Sequence, residues 1–340
     1  MEAPSRSALF NALPLRLLTL RNRIAMAPMV QQTGLPDGTA TEAAAVFYGA
    51  RAQAGTGLII VEATAVEPDA RCWPGGLGAY LPQHREGLAR IASAIRAGGA
   101  CACLQLVHGG PQASPAVIGG PGWGPSAIPP NSNFPPPREL PRDALSDLQG
   151  RFVAAAEMAA EAGFQAVELH GAHGYLLDSF LSPNRNRRAD DYGGSIENRL
   201  RMLEETVRRT RERLGERLLV GCRVSFFNHA HEGFGHDAFR TILAALERAG
   251  CDLLHISCDG WSRTWFDTGR TQGQLAKETV RIPVIVAGSL GDSREAERAV
   301  AEGHCDVAAI GRAMKSAPDW AARAHRRLVA NRRTGDADPP

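Results

Sequence analysis

AVELHGAHGYLLDSF, Ala166–Phe180, begins as an apolar run and ends in chemistry. A short, near-continuous apolar run is how a strand buried on both faces reads. Just past it stand His170, His173 and Tyr175, so a strand here delivers two imidazoles and a phenol to its own C-terminal end. The chain then passes through a proline-bounded loop, a basic cluster and a Tyr-Gly-Gly turn, and a charged helix opens at Ser195.

Runs of the same kind recur on both sides. They are RIAMAPM (Arg23–Met29), LIIVEATAV (Leu58–Val66), CACLQLVH (Cys101–His108), LLVGCRVS (Leu218–Ser225), LLHISCD (Leu253–Asp259), PVIVAG (Pro283–Gly288) and DVAAIGR (Asp306–Arg312). Between and after them fall helical patterns at Thr39–Ala54, Gln83–Ala97, Asp143–Ala162, Ser195–Leu214, His236–Ala249, Gly273–Thr279, Ser293–Ala301 and Pro318–Ala330. Thr39 and Glu42 have the spacing of a capping box. Strict alternation argues βαβ units and a parallel sheet. Eight units in 340 residues predict an α/β fold, a (β/α)8 TIM barrel, as one domain over 1–340. No G-x-G-x-x-G follows the first run, which disfavours an open dinucleotide-binding sheet. The alternating ALPLRLLTLRNR (Ala12–Arg23) reads as an N-terminal β-hairpin closing the bottom of the barrel. Nearly half of the 22 prolines fall between Gly109 and Pro141. They exclude regular helix and sheet and predict a long βα loop acting as a lid. The polar tail at about 331–340 is expected to fray.

Composition narrows the function classes. A formal net charge of +2 gives no reason to expect nucleic acid or a membrane surface. No apolar run reaches membrane-spanning length, and the N-terminus has no leader pattern, so a cytoplasmic protein is expected. The seven cysteines form no C-x-x-C pair, so neither an iron–sulfur nor a metal site is expected. They read as small core residues.

In such a barrel, chemistry gathers at the C-terminal ends of the strands. Gly288 and Ser289 after the seventh run, and Gly311 with Arg312 after the eighth, have the pattern of a phosphate site. Glycines admit backbone N–H groups close to the anion and the guanidinium pairs with it; the same glycines also suit tight turns. Gln105 offers a donor and an acceptor to a pyrimidine-like edge. Arg223 can neutralise charge developing on a reduced ring. Ala27 and Ala63 leave room for a flat system. Flavin mononucleotide (FMN) satisfies these positions together.

The chain also resembles the old yellow enzyme family of FMN-dependent ene reductases. The resemblance rests on RNRIAMAPM (Arg21–Met29), GLIIVEATAV (Gly57–Val66), LQLVHGG (Leu104–Gly110), GPSAI (Gly124–Ile128), VELHGAHGYLLDSFLSP (Val167–Pro183), NRRADDYGGSIENRLR (Asn186–Arg201), RVS (Arg223–Ser225) and IGR (Ile310–Arg312). It implies that NADPH or NADH reduces bound FMN, which then passes hydride to an enone or related activated alkene. It further implies that His170 and His173 hold the substrate carbonyl and that Tyr175 protonates the α-carbon. FMN would be held by Pro28, Met29, Val30, Ala63, Gln105 and Arg223, with Gly288, Ser289, Gly311 and Arg312 on its phosphate. Gln32, Trp261 and Trp265 are expected near the substrate. The resemblance allows a homo-oligomer. Other activities on the same scaffold are a flavin dehydrogenase or isomerase of a biosynthetic intermediate, a dihydrouridine-synthase-like RNA enzyme, which the near-neutral charge disfavours, and a non-catalytic FMN-binding protein.

Departures from the family bear on rate and substrate. Val30 stands where the family usually has Cys or Thr, Gln32 where it has tyrosine, and Pro111–Gln112 where basic residues follow His-x-Gly. The cysteine cluster of the dienoyl-CoA reductases is absent and the chain ends at Pro340, so electrons are expected directly from a nicotinamide. Valine cannot hydrogen-bond the flavin, and the reduced form should be less favoured for it. Val30→Thr is therefore expected to raise the flavin midpoint potential in a dye-coupled titration; equal potentials in the two proteins would contradict this.

Overall fold

The computed structural model describes residues 7–226, 234–265 and 267–330. The polar tail expected at 331–340 lies outside them. Eight parallel strands form a closed barrel: β1 (Ile24–Met26), β2 (Leu58–Ala65), β3 (Cys101–Val107), β4 (Ala166–Gly171), β5 (Leu219–Ser225), β6 (Leu253–Ser257), β7 (Val284–Ala287) and β8 (Val307–Ile310). Each pairs with its sequence neighbours, and β8 closes on β1 through Ala308↔Ile24 and Ile310↔Met26. Helices α1 (Glu42–Gln53), α2 (His84–Ala97), α3 (Ala144–Glu161), α4 (Ile196–Leu214), α5 (His236–Arg248), α6 (Gln272–Thr279), α7 (Ser293–Ala301) and α8 (Trp320–His325) follow the strands in turn. The expected (β/α)8 barrel is thus the observed one.

Alternation along the strands separates two cores. Outward residues pack beneath the helices, around large buried side chains such as Tyr48, Phe152 and Phe239. Inward residues fill the barrel with small and branched groups, including Ala25, Leu58, Ile60, Cys103, Ala166, Leu219, Ile285 and Val307. Leu13 and Leu20 join this inner cluster. They belong to an antiparallel hairpin, Leu13–Pro14 with Thr19–Leu20, which plugs the N-terminal end as its alternation predicted. Arg16 pins the hairpin from outside, its Nε donating to Asp252 just before β6 at 2.7 Å.

Several local expectations are corrected. The capping box is not at Thr39, whose hydroxyl and N–H both bond Asp37. The cap of α1 is Thr41, and its hydroxyl is spent on Thr33 O. A true capping box begins α6, with Thr271 and Gln274 bonded reciprocally. Leu176–Leu181 is helical rather than loop, and so is Arg312–Ser316. The last predicted helix divides, because α8 passes into a π-helical turn at Arg326–Ala330. The Pro-rich segment also has regular elements. Pro115 starts a short helix, Pro115–Ile118, at the one position where its missing N–H costs nothing. Trp123–Gly124 pairs with Arg138–Glu139.

One close approach is a backbone constraint. A Cβ on Gly273, in the first turn of α6, would lie 2.0 Å from the carbonyl oxygen of His304. Gly273→Ala is expected to lower the unfolding free energy in urea by about 1–3 kcal/mol, the range for overpacking; an unchanged midpoint would show that α6 can slide without cost.

Candidate active site

The C-terminal mouth of the barrel is polar where the lower interior is apolar. On β4 the inward positions are Ala166, Glu168 and His170, so one strand climbs from a methyl to a carboxylate to an imidazole. The same parity brings Gln105 inward from β3, Arg223 from β5, and His255 and Ser257 from β6. Glu168, Arg223 and His255 are all buried. Gln105 Nε2 donates to Glu168 Oε1 at 2.7 Å, and His255 Nδ1 donates to Glu168 Oε2 at 2.8 Å. Burial alone would raise the Glu168 carboxyl. The His255 contact, the Arg223 charge and the Gln105 bond outweigh it and hold the carboxyl below its usual range. Burial likewise keeps His255 neutral.

Ser257 fixes a second set of contacts. Its Oγ lies 2.9 Å from Arg223 Nη2 and 2.9 Å from His173 Nε2. A guanidinium only donates, so the hydroxyl accepts from Arg223 and meets His173 Nε2 with its remaining lone pair or its own hydrogen. In the neighbouring ring His170 Nδ1 accepts from Ala172 N at 3.3 Å, leaving the proton on Nε2. Burial, reinforced by His173 and Arg223, pushes His170 well below its ordinary value, so it works as a neutral N–H donor. The two rings meet edge to face at 5.1 Å, and His170 meets Tyr175 at 4.8 Å. The three side chains singled out in sequence are therefore one cluster.

The backbone that presents them is held on three sides. His173 has φ +63°, a left-handed conformation uncommon for a residue with a side chain. Its N–H donates to Ser225 Oγ at 2.9 Å, and its carbonyl accepts from Gln112 Nε2 at 2.6 Å. Gly174 N donates to buried Asp178 Oδ2 at 2.6 Å. Gln112 thus ties the Pro-rich loop to the His173 turn. Tyr175 is largely buried, and desolvation raises its phenol.

A cavity of about 380 Å³ opens beside the cluster, lined among others by Ala27, Met29, Arg223, Ser257, Gly288, Ser289, Gly311 and Arg312. Arg223 Nε, buried in its wall, has no hydrogen-bond partner among the described residues. Arg312 is exposed at its rim. Ser289 has φ +56° and its Oγ donates to Asp259 O. Gly288 has a packing reason of its own, because a Cβ there would meet Cys258 O at 2.5 Å. Pro28, Met29 and Val30 continue from β1, where Lys315 Nζ donates to Val30 O at 2.8 Å. Ala63 sits at the end of β2, next to buried Glu62, whose Oε2 accepts from Gln31 N at 2.9 Å. That bond anchors the loop bearing Gln32, which is exposed with φ +56°.

Two expected substrate residues find other surroundings. Trp261 is buried against the His304 ring at 4.9 Å, with Arg298 over its face at 5.5 Å, so it anchors its loop. Trp265 is half-buried in a two-residue strand paired with Arg270–Thr271, with Arg263 5.2 Å over its ring. The aromatic that does approach the cluster is Trp73, 6.1 Å from Tyr175, and nothing in the sequence pattern singles it out. His108, at its strand end, is structural: Nε2 pairs with Glu67 at 2.8 Å and Nδ1 accepts from Gly110 N.

The model of the NADH:flavin oxidoreductase / NADH oxidase family matches residues 8–331. The chain is 33% identical over 336 residues to an NADPH dehydrogenase of Bacillus licheniformis, covering 95% of the chain and 96% of that protein. It is 34% identical over 318 residues to an NADH oxidase of Thermoanaerobacter brockii, covering 90% of the chain and 49% of that protein. Two further curated relatives are covered over 32% and 34% of their length. An old yellow enzyme homologue from Zymomonas mobilis superposes with a TM-score of 0.85 at 26% identity, over 94% of this chain and 93% of the other. Among the described residues no helix is long and apolar enough to cross a membrane, and no cluster could hold a metal ion.

The buried imidazole of His170 has a consequence for stability. Its folded pKa lies below the ordinary 6.5, so the unfolded chain takes up a proton near pH 6.5 that the folded chain refuses. Its contribution is complete above that pH and shrinks as the pH falls toward the folded pKa. The slope is at most about 1.4 kcal/mol per pH unit. Between pH 7.5 and 5.5, His170→Asn should therefore lose about 1 kcal/mol less in urea unfolding than wild type; parallel losses would contradict a neutral His170.

Proposed function

The chain belongs to the NADH:flavin oxidoreductase / NADH oxidase family, the old yellow enzyme family, and from that premise we propose that it reduces the activated C=C bond of α,β-unsaturated carbonyl compounds at the expense of NAD(P)H. The observation that carries this reading is the single cluster of His170, His173 and Tyr175, in which His170 is a neutral Nε2–H donor and burial keeps the phenol protonated.

FMN is the family's cofactor, and the cavity suits it. An unpartnered buried guanidinium nitrogen lies in its wall, and two βα turns and an exposed arginine lie at its rim. In this reading Pro28, Met29, Val30 and Ala63 lie along the ring, Gln105 and Arg223 meet its pyrimidine end, and Gly288, Ser289, Gly311 and Arg312 hold the phosphate. When bound, FMN supplies the two-electron relay between nicotinamide and substrate.

The remaining chemistry belongs to the chain. His170 through Nε2–H and His173 through a ring N–H donate to the substrate carbonyl, and their hydrogen bonds strengthen as enolate charge develops on that oxygen. Each preorganised donor of this kind is worth about 10²–10³ in rate. Because His170 is not a cation, it does not give up its proton to the oxygen outright. Tyr175 delivers its proton to the α-carbon, which is basic enough in the enolate to take it from a raised phenol.

Purified protein is expected to be yellow, to bleach with NADPH or NADH without oxygen, and to recover its colour with an enone. A protein that stays colourless with added FMN would overturn the reading. Tyr175→Phe should slow recolouring by about 10²–10⁴-fold and leave bleaching within a few-fold of wild type; equal slowing of both half-reactions would remove Tyr175 from the proton-donor role.

A further inference from the structure

Glu168 touches none of the three residues assigned to the substrate, yet it is among the most constrained side chains in the barrel. It is 2% exposed, and each carboxylate oxygen accepts one short hydrogen bond, from Gln105 on β3 and from His255 on β6. To reach His255 it must span β5, and the residue opposite it there is Gly221, which has no side chain to intervene. A barrel interior at this depth is ordinarily filled by branched apolar residues, and a buried carboxylate costs several kcal/mol before its partners offset it. Packing alone does not account for a Gln–Glu–His chain in that place.

We propose that Glu168 is a positioning residue for the flavin: it fixes which end of the Gln105 amide reads the cofactor, and it lowers the cofactor's potential by opposing the charge of Arg223. The proposal rests on the functional reading above. The first half follows from hydrogen-bond chemistry. An ionised carboxylate can only accept, so the amide must turn its NH₂ group toward Glu168. The amide oxygen then serves the cavity side, as an acceptor for the one ring N–H that the pyrimidine edge of an oxidised flavin offers. The second half follows from charge. Glu168 and Arg223 are both buried and interact, and Arg223 Nη2 is occupied by Ser257 while its Nε is unpartnered. Replacing the carboxylate by a neutral group leaves the guanidinium unopposed, and negative charge gathering on a reduced ring is then better stabilised.

Glu168→Gln preserves shape and can still bond both neighbours, but it removes the charge and frees the Gln105 amide to rotate. Two quantities are read: the FMN dissociation constant, by fluorescence titration of apoprotein, and the midpoint potential, by anaerobic dye equilibration. We expect FMN binding to weaken about tenfold. The potential should shift positive by about 30 mV, a tenfold change for a two-electron couple. Gln105→Leu should weaken FMN binding to a similar degree and leave most of the potential unchanged, and the double variant should bind no worse than either single one. Wild-type affinity and potential in Glu168→Gln would overturn the proposal. If Glu168→Gln does not fold, Gln105→Leu decides the matter, since wild-type FMN affinity in that variant overturns the orientation argument and with it the proposal. A wild-type protein that takes up no FMN would instead defeat the functional reading itself.

Discussion

Charge buried inside a closed barrel has to be balanced from within the barrel. In this chain the requirement falls on Arg223, with Glu168 and Ser257 as its near counterparts and an unpartnered Nε directed to no protein acceptor. Water that would screen an exposed guanidinium is replaced by fixed dipoles, so a change in charge nearby is felt strongly. The polar layer is consequently built as a set: Gln105, Glu168 and His255 form one chain of hydrogen bonds, and Arg223, Ser257 and His173 form another. They share the neighbourhood of β5, where glycine at position 221 and arginine at 223 alternate the absence and presence of a side chain.

The second chain has a consequence for the histidines. Arg223 and His173 meet at one hydroxyl, Ser257 Oγ, so a guanidinium deeper in the barrel helps to place an imidazole at the mouth. His170 takes its tautomer from a backbone N–H two residues on. The left-handed backbone at His173 is held by Ser225 and Gln112, so strain at the mouth is offset by bonds from β5 and from the Pro-rich loop.

Much of this was legible in the sequence because barrel strands advertise themselves. Eight apolar runs in alternation with helical patterns gave the topology, and a hairpin of alternating leucines gave the plug. The cluster of His170, His173 and Tyr175 was legible because all three follow one run. Glu168 and His255 were less so. Each interrupts an apolar strand, and inward parity with His170 and with Ser257 was the available signal, but parity does not say that two strands' side chains will meet across a third. Trp73 was hidden for a different reason. It lies in an irregular loop, where no periodicity relates a residue to the space it fills. Trp261 and Trp265 are ambiguous for the same reason, since an aromatic in a loop can as well anchor it as line a pocket. Thr39 failed as a cap because Asp37, two residues earlier, competes for its hydroxyl and N–H.

The Pro-rich segment shows how such a loop is ordered with only a two-residue ladder of its own. Proline withholds N–H donors, so several of its carbonyl oxygens are met by donors from outside it. Arg185 Nη2 reaches Pro130 O, and Arg188 Nη1 reaches both Pro125 O and Leu140 O, the latter at 2.6 Å. Arg187 N donates to Ser126 Oγ. All three arginines lie in the basic cluster that follows the His170–Tyr175 strand. The basic cluster therefore supplies donors to the loop, two guanidinium groups and one backbone N–H. Arg188 keeps its place through Asp190, 2.5 Å away. The stretch from Glu168 to Arg188 accordingly supplies the interior carboxylate, the proposed substrate-facing groups and bonds that fasten the Pro-rich loop. A change in the basic cluster would be felt at the mouth through Gln112, which joins the same loop to the carbonyl of His173.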